Sequence, residues 1–137
     1  MDIKKMDEEI FKISSNKVMS LSLIEMAKER LQDISKESKP YKIIEQYYEI
    51  IKELITSIMY SNGFKTLSHK ALVDYIRTNY KELSPADVFL IDELRKLKNN
   101  ILYYGQKVEK EFLINHETHI RSIISKLTKL AEKESKN

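Results

Sequence analysis

Ser84-Pro-Ala-Asp-Val-Phe-Leu-Ile-Asp-Glu-Leu-Arg-Lys-Leu-Lys-Asn-Asn-Ile-Leu-Tyr-Tyr-Gly105 is the segment of this chain whose ends and buried side are most plainly marked. Ser84 is suited to cap a helix through its hydroxyl, Pro85 suits the first helical position, and Asp87 completes the spacing of a capping box. Gly105 stands where a left-handed residue commonly ends a helix. The segment therefore predicts one helix with a defined start and a defined end.

Two neighbouring faces of this helix differ in chemistry. An apolar stripe at four-three spacing is expected to be buried, and it consists of Leu90, Leu94, Leu97, Ile101 and Tyr104. Beside it, Arg95, Asn99 and Tyr103 follow one another at intervals of four, next to Lys98. A cation, an amide and a phenol in a row exceed the polarity that packing requires, so we expect this face to be a functional edge.

The second half of the segment, Leu94-Arg-Lys-Leu-Lys-Asn-Asn-Ile-Leu-Tyr-Tyr-Gly105, resembles the signature helix of the HEPN superfamily, a group of small all-α domains. That signature is an Arg, usually followed by Asn, with a His about five residues after the Arg. Aligned on the Asn, Asn99 matches, whereas Lys98 stands at the Arg position and Tyr103 at the His position. The resemblance covers roughly Leu21 to Leu130 through helix order and loop placement.

The resemblance implies a function and a set of site residues. Many HEPN members are metal-independent ribonucleases, often toxins paired with a nucleotidyltransferase-like antitoxin, and they commonly dimerise with their signature helices facing each other across a groove. It implies a homodimer that binds a nucleotide or RNA, with Arg95, Lys98 and Asn99 on phosphate and Tyr103 hydrogen-bonding or stacking. Lys98 and Tyr103 take the catalytic positions. His69 also fits the family pattern and is expected to face the groove, the alternative being a His that bonds only backbone or water.

The replacement of Arg by Lys98 and of His by Tyr103 affects whether the site could cleave RNA. RNA cleavage without a metal needs a base for the 2′-hydroxyl, and His suits this task because its pKa lies near neutrality, whereas a phenol with a reference pKa of about 10 is a poor base. Lys98 supplies a point charge where Arg would supply a planar fork, and Arg95 is a candidate substitute. We therefore expect binding with weakened or absent ribonuclease activity.

Three alternatives stay open. One is an active ribonuclease that uses Tyr103 or His69 as its base. Another is a non-catalytic protein-binding partner of a nucleotidyltransferase. A third is that Asn99, Asn100 and the tyrosines form only a polar seam at a symmetric dimer interface.

The remaining chain shows helical periodicity and no strand signal. An N-terminal arm over 1–15 is expected to contain a short amphipathic helix, marked by Ile3, Met6, Ile10 and Ile13. A helix from about Lys17 to Ile34 has the stripe Val18, Leu21, Ile24, Ala27, Leu31 and Ile34. The strongest period runs from Pro40 to Asn62, through Ile44, Tyr47, Ile51, Leu54, Ile55 and Ile58.

Two more helices complete the expected architecture. Ser68 should cap a shorter helix whose buried side is Ala71, Leu72, Tyr75 and Ile76. A long helix should run from Gln106 to about Leu130 with the stripe Phe112, His116, Ile120, Ile123, Leu127 and Leu130, and the tail 132–137 should fray. Short loops between long helices favour a single domain over 1–137, an all-α, antiparallel up-and-down bundle of four to five main helices.

The composition of the chain excludes several kinds of site and of protein. The chain of 137 residues contains no Cys, so disulfides and thiolate metal sites are excluded, and a cytoplasmic location is expected. No apolar run reaches the length of a membrane span, and a net charge of +3 neither favours nor excludes RNA. His116 and His119 have metal-ligand spacing but lack an acidic third ligand, so neither a metal nor a cofactor is expected.

Overall fold

The computed structural model describes residues 9–136 and is an all-α helical bundle. Its five helices are α1 (Lys17–Asp33), α2 (Pro40–Asn62), α3 (His69–Asn79), α4 (Pro85–Tyr104) and α5 (Lys110–Lys136). A short 3-10 turn, Ile34–Lys36, follows α1, and two three-residue strands, β1 (Ile10–Lys12) and β2 (Phe64–Thr66), lie outside the bundle. The expected fold class is confirmed.

Helix α2 forms the centre of the bundle because it is apolar on most of its circumference. The six side chains predicted for its stripe are all buried, and its neighbours Tyr48, Ile50 and Met59 are buried as well. Helices α1, α3, α4 and α5 all pack against it. The helix ends at Gly63, whose φ of 83° is a left-handed conformation that glycine adopts readily.

The N-terminal arm differs from the prediction. Residues 1–8 lie outside the described residues, and Ile10–Lys12, which were expected to be helical, form a strand. Strand β1 pairs antiparallel with β2, with Ile10 opposite Thr66 and Lys12 opposite Phe64, and the Ile13 N–H donates to the Gly63 carbonyl at 2.8 Å. The prediction of a helix here, and of no strand, was wrong because backbone pairing with a distant segment overrides a short local periodicity.

Helix α1 has the predicted length, and its buried face differs from the prediction only in the first turns. Ile24, Ala27 and Ile34 are buried as predicted, whereas Val18 and Leu21 are exposed and Ser20 is buried in their place. The Ser20 hydroxyl hydrogen-bonds to the Ser57 hydroxyl on α2 at 2.8 Å, and Ser57 donates to the Ser20 carbonyl at the same distance. This polar pairing, in place of an apolar contact, joins the start of α1 to α2.

Helices α3 and α4 begin as predicted. Ser68 caps α3 through its hydroxyl and the Ala71 N–H, and the Ser84–Asp87 capping box of α4 is formed in both directions. Gly105 ends α4 with a φ of 62°. Tyr104, expected in the buried stripe, is instead 81% exposed because the last turn of α4 is left uncovered within the described residues.

Helix α5 starts four residues later than predicted and ends later as well. It continues to Lys136, through the segment expected to fray. Among residues 9–136, no helix is both long enough and apolar enough to cross a membrane.

Candidate functional site

Two of the predicted site residues meet on the ring of Tyr48. This tyrosine of α2 is buried, and the Lys98 ammonium lies 5.2 Å from its ring centre. The His69 ring, from the first turn of α3, lies 5.8 Å from the same ring. Tyr48 is therefore a core residue whose ring contacts a cation and an imidazole.

Charged residues from α2 and α4 surround this ring. The Lys98 ammonium lies 3.5 Å from a Glu49 carboxylate oxygen, and Lys52 lies 2.8 Å from the other oxygen of the same carboxylate. Arg95 lies close enough to act electrostatically on both Tyr48 and His69. We refer to these residues together as the Tyr48 cluster: Tyr48, Glu49, Lys52, His69, Arg95 and Lys98.

The two cations of α4 are partly neutralised at rest. Arg95 donates its Nε–H to Asp92 at 2.8 Å, and Lys98 faces Glu49. Their side chains are only 17% and 21% exposed, so each pair is partly shielded from water. An incoming phosphate would therefore compete with carboxylates for both cations.

Burial and charge set the protonation states of the cluster. Burial alone would raise the pKa of Glu49, but Lys52 and Lys98 together outweigh burial and lower this pKa below its ordinary value. The carboxyl of Glu49 is therefore ionised at neutral pH. Burial lowers the pKa of His69, and the cations Lys52, Lys98 and Arg95 lower it more than Glu49 raises it. The imidazole is therefore neutral at pH 7 and able to accept a proton.

Asn99 and Tyr103 lie further along the same helix. Asn99 is partly buried, and its side chain makes no hydrogen bond within the described part of the chain. Tyr103 is 71% exposed and lies about 7.5 Å beyond Lys98 along the helix axis, by the rise per residue. Arg95, Lys98 and His69 are thus brought together, whereas Tyr103 belongs to the exposed end of α4.

Sequence reasoning missed the acidic half of this cluster and one of its cations. Glu49 and Lys52, three residues apart on α2, were not considered, and neither was Asp92 as the partner of Arg95. The i,i+3 spacing of each pair was a usable signal. The contact between Glu49 and Lys98 had no such signal, because 49 residues separate them.

The histidines of α5 lie elsewhere and have partners of their own. His119 donates a ring N–H to the buried Asp87 at 2.7 Å, and Lys126 donates to the same carboxylate at 2.6 Å. His116 packs its ring on Phe112, with centres 4.4 Å apart. Within residues 9–136, no group of three His, Cys, Asp or Glu side chains is arranged to hold a metal ion.

Comparison with known proteins gave no match, either to a model of a protein family or to a curated protein.

Proposed function

We propose that the protein is a HEPN-like domain that binds a nucleotide or RNA through the Tyr48 cluster, acting in the cytoplasm. The observation that carries the proposal is that Lys98 and the uncharged His69 meet on one buried ring, with Arg95 close to both and Lys52 paired to the neighbouring Glu49. Three cations at one place offer a phosphate more positive charge than Glu49 and Asp92 neutralise. Arg95 uses only its Nε–H on Asp92, which leaves its terminal N–H groups for a phosphate oxygen.

RNA binding with three variants tests this proposal. Fluorescence anisotropy of a labelled single-stranded RNA should show that Lys98→Ala weakens binding about fivefold to tenfold and reduces the salt slope by about 0.7. The matched control Lys129→Ala removes an exposed lysine of α5 outside the cluster and should bind like the wild type. Glu49→Gln should bind RNA more tightly than the wild type, because it removes the carboxylate that competes for Lys98.

Two outcomes contradict the proposal. Equal and negligible binding by the wild type and by Lys98→Ala removes the RNA function. Binding that is lost equally in Lys98→Ala and Lys129→Ala indicates only diffuse attraction to a basic protein.

A metal-independent ribonuclease is the second candidate, and the state of His69 favours it. A neutral imidazole beside Lys98 and Arg95 combines a proton acceptor with phosphate-binding cations, which are the two functions that cleavage needs. His69 is better placed for this role than Tyr103, which is exposed at the helix end.

Incubation of RNA with chelator present, followed by gel analysis, tests the ribonuclease. Cleavage by the wild type and by His116→Ala, together with its loss in His69→Ala, would establish His69 as the base. Intact RNA across a broad pH range would leave binding as the function.

The exposed end of α4 supports a homodimer. Leu102, Tyr103 and Tyr104 are exposed, and so is Ile114 on the first turns of α5. Tyrosines are enriched at protein interfaces, and a cluster of large exposed apolar side chains is suited to a second copy of the chain. A nucleotidyltransferase-like partner, in a toxin–antitoxin pair, stays a prediction from the family resemblance.

A further inference from the structure

A cavity of about 570 Å³ lies between α3 and the first half of α4, where it reaches as far along α4 as Arg95. Its walls are largely apolar, formed by Val73 of α3, Leu83 of the connection and Val88 and Phe89 of α4. Val73, Leu83 and Val88 are buried, whereas Phe89 is 67% exposed along the opening. A cavity of this size and lining is typical of sites for small organic molecules.

The rim of the cavity carries more positive than negative charge. Four cations line it, Lys70, Arg77, Lys81 and Arg95, together with the two carboxylates of Asp74 and Asp92. Asp74 is paired with Arg77, and Asp92 with Arg95. Lys70 and Lys81 form no ion pair within residues 9–136, so the rim has an unbalanced positive charge at two lysines.

The two arginines of the rim also supply hydrogen-bond donors with a defined direction. Arg77 contacts Asp74 through one terminal nitrogen, and Arg95 contacts Asp92 through Nε. Each guanidinium therefore has further N–H groups without an acceptor in the described chain. Guanidinium groups bind carboxylates in a planar, two-point geometry, and the partly buried Arg95 is the better desolvated of the two.

We propose that this cavity binds an amphipathic organic anion, a carboxylate with an aliphatic body of medium length. The aliphatic body lies against Val73, Leu83, Val88 and Phe89, and the carboxylate lies at the cationic rim. The apolar walls do not suit a polyanion such as RNA, which would have to desolvate its phosphates there. The site lies beside the Tyr48 cluster and shares Arg95 with it.

Calorimetric titration with decanoate tests both parts of the proposal. We expect saturable binding of one decanoate per chain and none of decyltrimethylammonium, which has the same tail and the opposite charge. Lys70→Glu combined with Lys81→Glu should weaken decanoate binding about tenfold, since two attractions become repulsions. The control, Lys65→Glu combined with Lys129→Glu, changes two exposed lysines outside the cavity and should leave the affinity unchanged.

Amide NMR shifts locate the bound molecule. Decanoate should shift the amides of Val73, Val88 and Phe89, and Phe89→Ala should weaken binding by removing the outer wall. Three results overturn the proposal: no saturable binding, equal binding of decyltrimethylammonium, or shifts confined to the exposed end of α4 at Leu102–Tyr104. Because none of these measurements involves RNA, their failure leaves the RNA proposal standing.

Discussion

Asp87 shows how a single carboxylate joins two helices of this fold. It is only 3% exposed and accepts hydrogen bonds from the Ser84 N–H, from His119 and from Lys126. Burial opposes its ionisation, but these three donors outweigh burial and hold the pKa of its carboxyl at about 2. The residue that closes the capping box of α4 therefore also ties α4 to α5.

Asp87→Asn is expected to destabilise the protein in a pH-dependent way. The folded-state pKa of about 2 lies below the reference value of 3.8, so ionised Asp87 contributes about 2 kcal/mol above pH 4. This contribution is lost as pH falls through 2. Urea unfolding should therefore show a large difference between the wild type and Asp87→Asn at pH 7 and a smaller one at pH 2.5.

The exposed carboxylate of Asp33 supplies the control for this experiment. Its side chain pairs with Lys36 at the surface, where ion pairs contribute little, so Asp33→Asn should lower the free energy of unfolding by less than about 1 kcal/mol at either pH. A destabilisation by Asp87→Asn that is the same at pH 7 and pH 2.5 would contradict the role assigned to its charge.

The identity of a residue predicts whether it is a candidate site residue better than it predicts which side chain that residue contacts. Lys98, Arg95 and His69 could be chosen from the sequence, because side-chain type states what chemistry is available. Their partners depend on tertiary contact, as in the pairing of Lys98 with Glu49 across 49 residues. The buried Glu53 is a further case: it is paired with Arg30 of α1, and nothing in the spacing of α2 indicates this.

At the scale of elements, local signals predicted helix ends, and tertiary contacts decided the rest. The capping box of α4 and the left-handed Gly105 act within a few residues, so their sequence signatures hold in the structure. The start of α5 has no such cap. Its helix begins at Lys110, after an extended connection in which Val108 is partly buried against the core.

The buried face of α1 and the existence of strand β1 were predicted less well than the helix ends. The inward face of α1 contains Ser20, whose hydrogen bonds to α2 compensate the burial of its hydroxyl, and no apolar count reveals this. Strand β1 exists only through its pairing with β2, more than 50 residues away. Both depend on contacts between segments distant in the sequence, so a single sequence does not predict them.

At the scale of the whole molecule, the uncovered end of α4 is the feature that the monomer leaves unexplained. Tyr103 and Tyr104 are 71% and 81% exposed, and the adjacent Leu102 is exposed as well. If two chains join here, Tyr103→Ser combined with Tyr104→Ser should convert the dimer to a monomer, because it removes most of the aromatic area available to the interface. Sedimentation velocity measures this directly as a halving of the particle mass.

A second exposed apolar surface supplies a control for the dimer prediction. Phe11 of β1 and Leu67, which follows β2, are also exposed, so Phe11→Ser combined with Leu67→Ser removes comparable apolar surface at another site. This control should remain a dimer. A wild type that sediments as a monomer at every concentration, or a dimer that dissociates only in the control, would contradict the assignment.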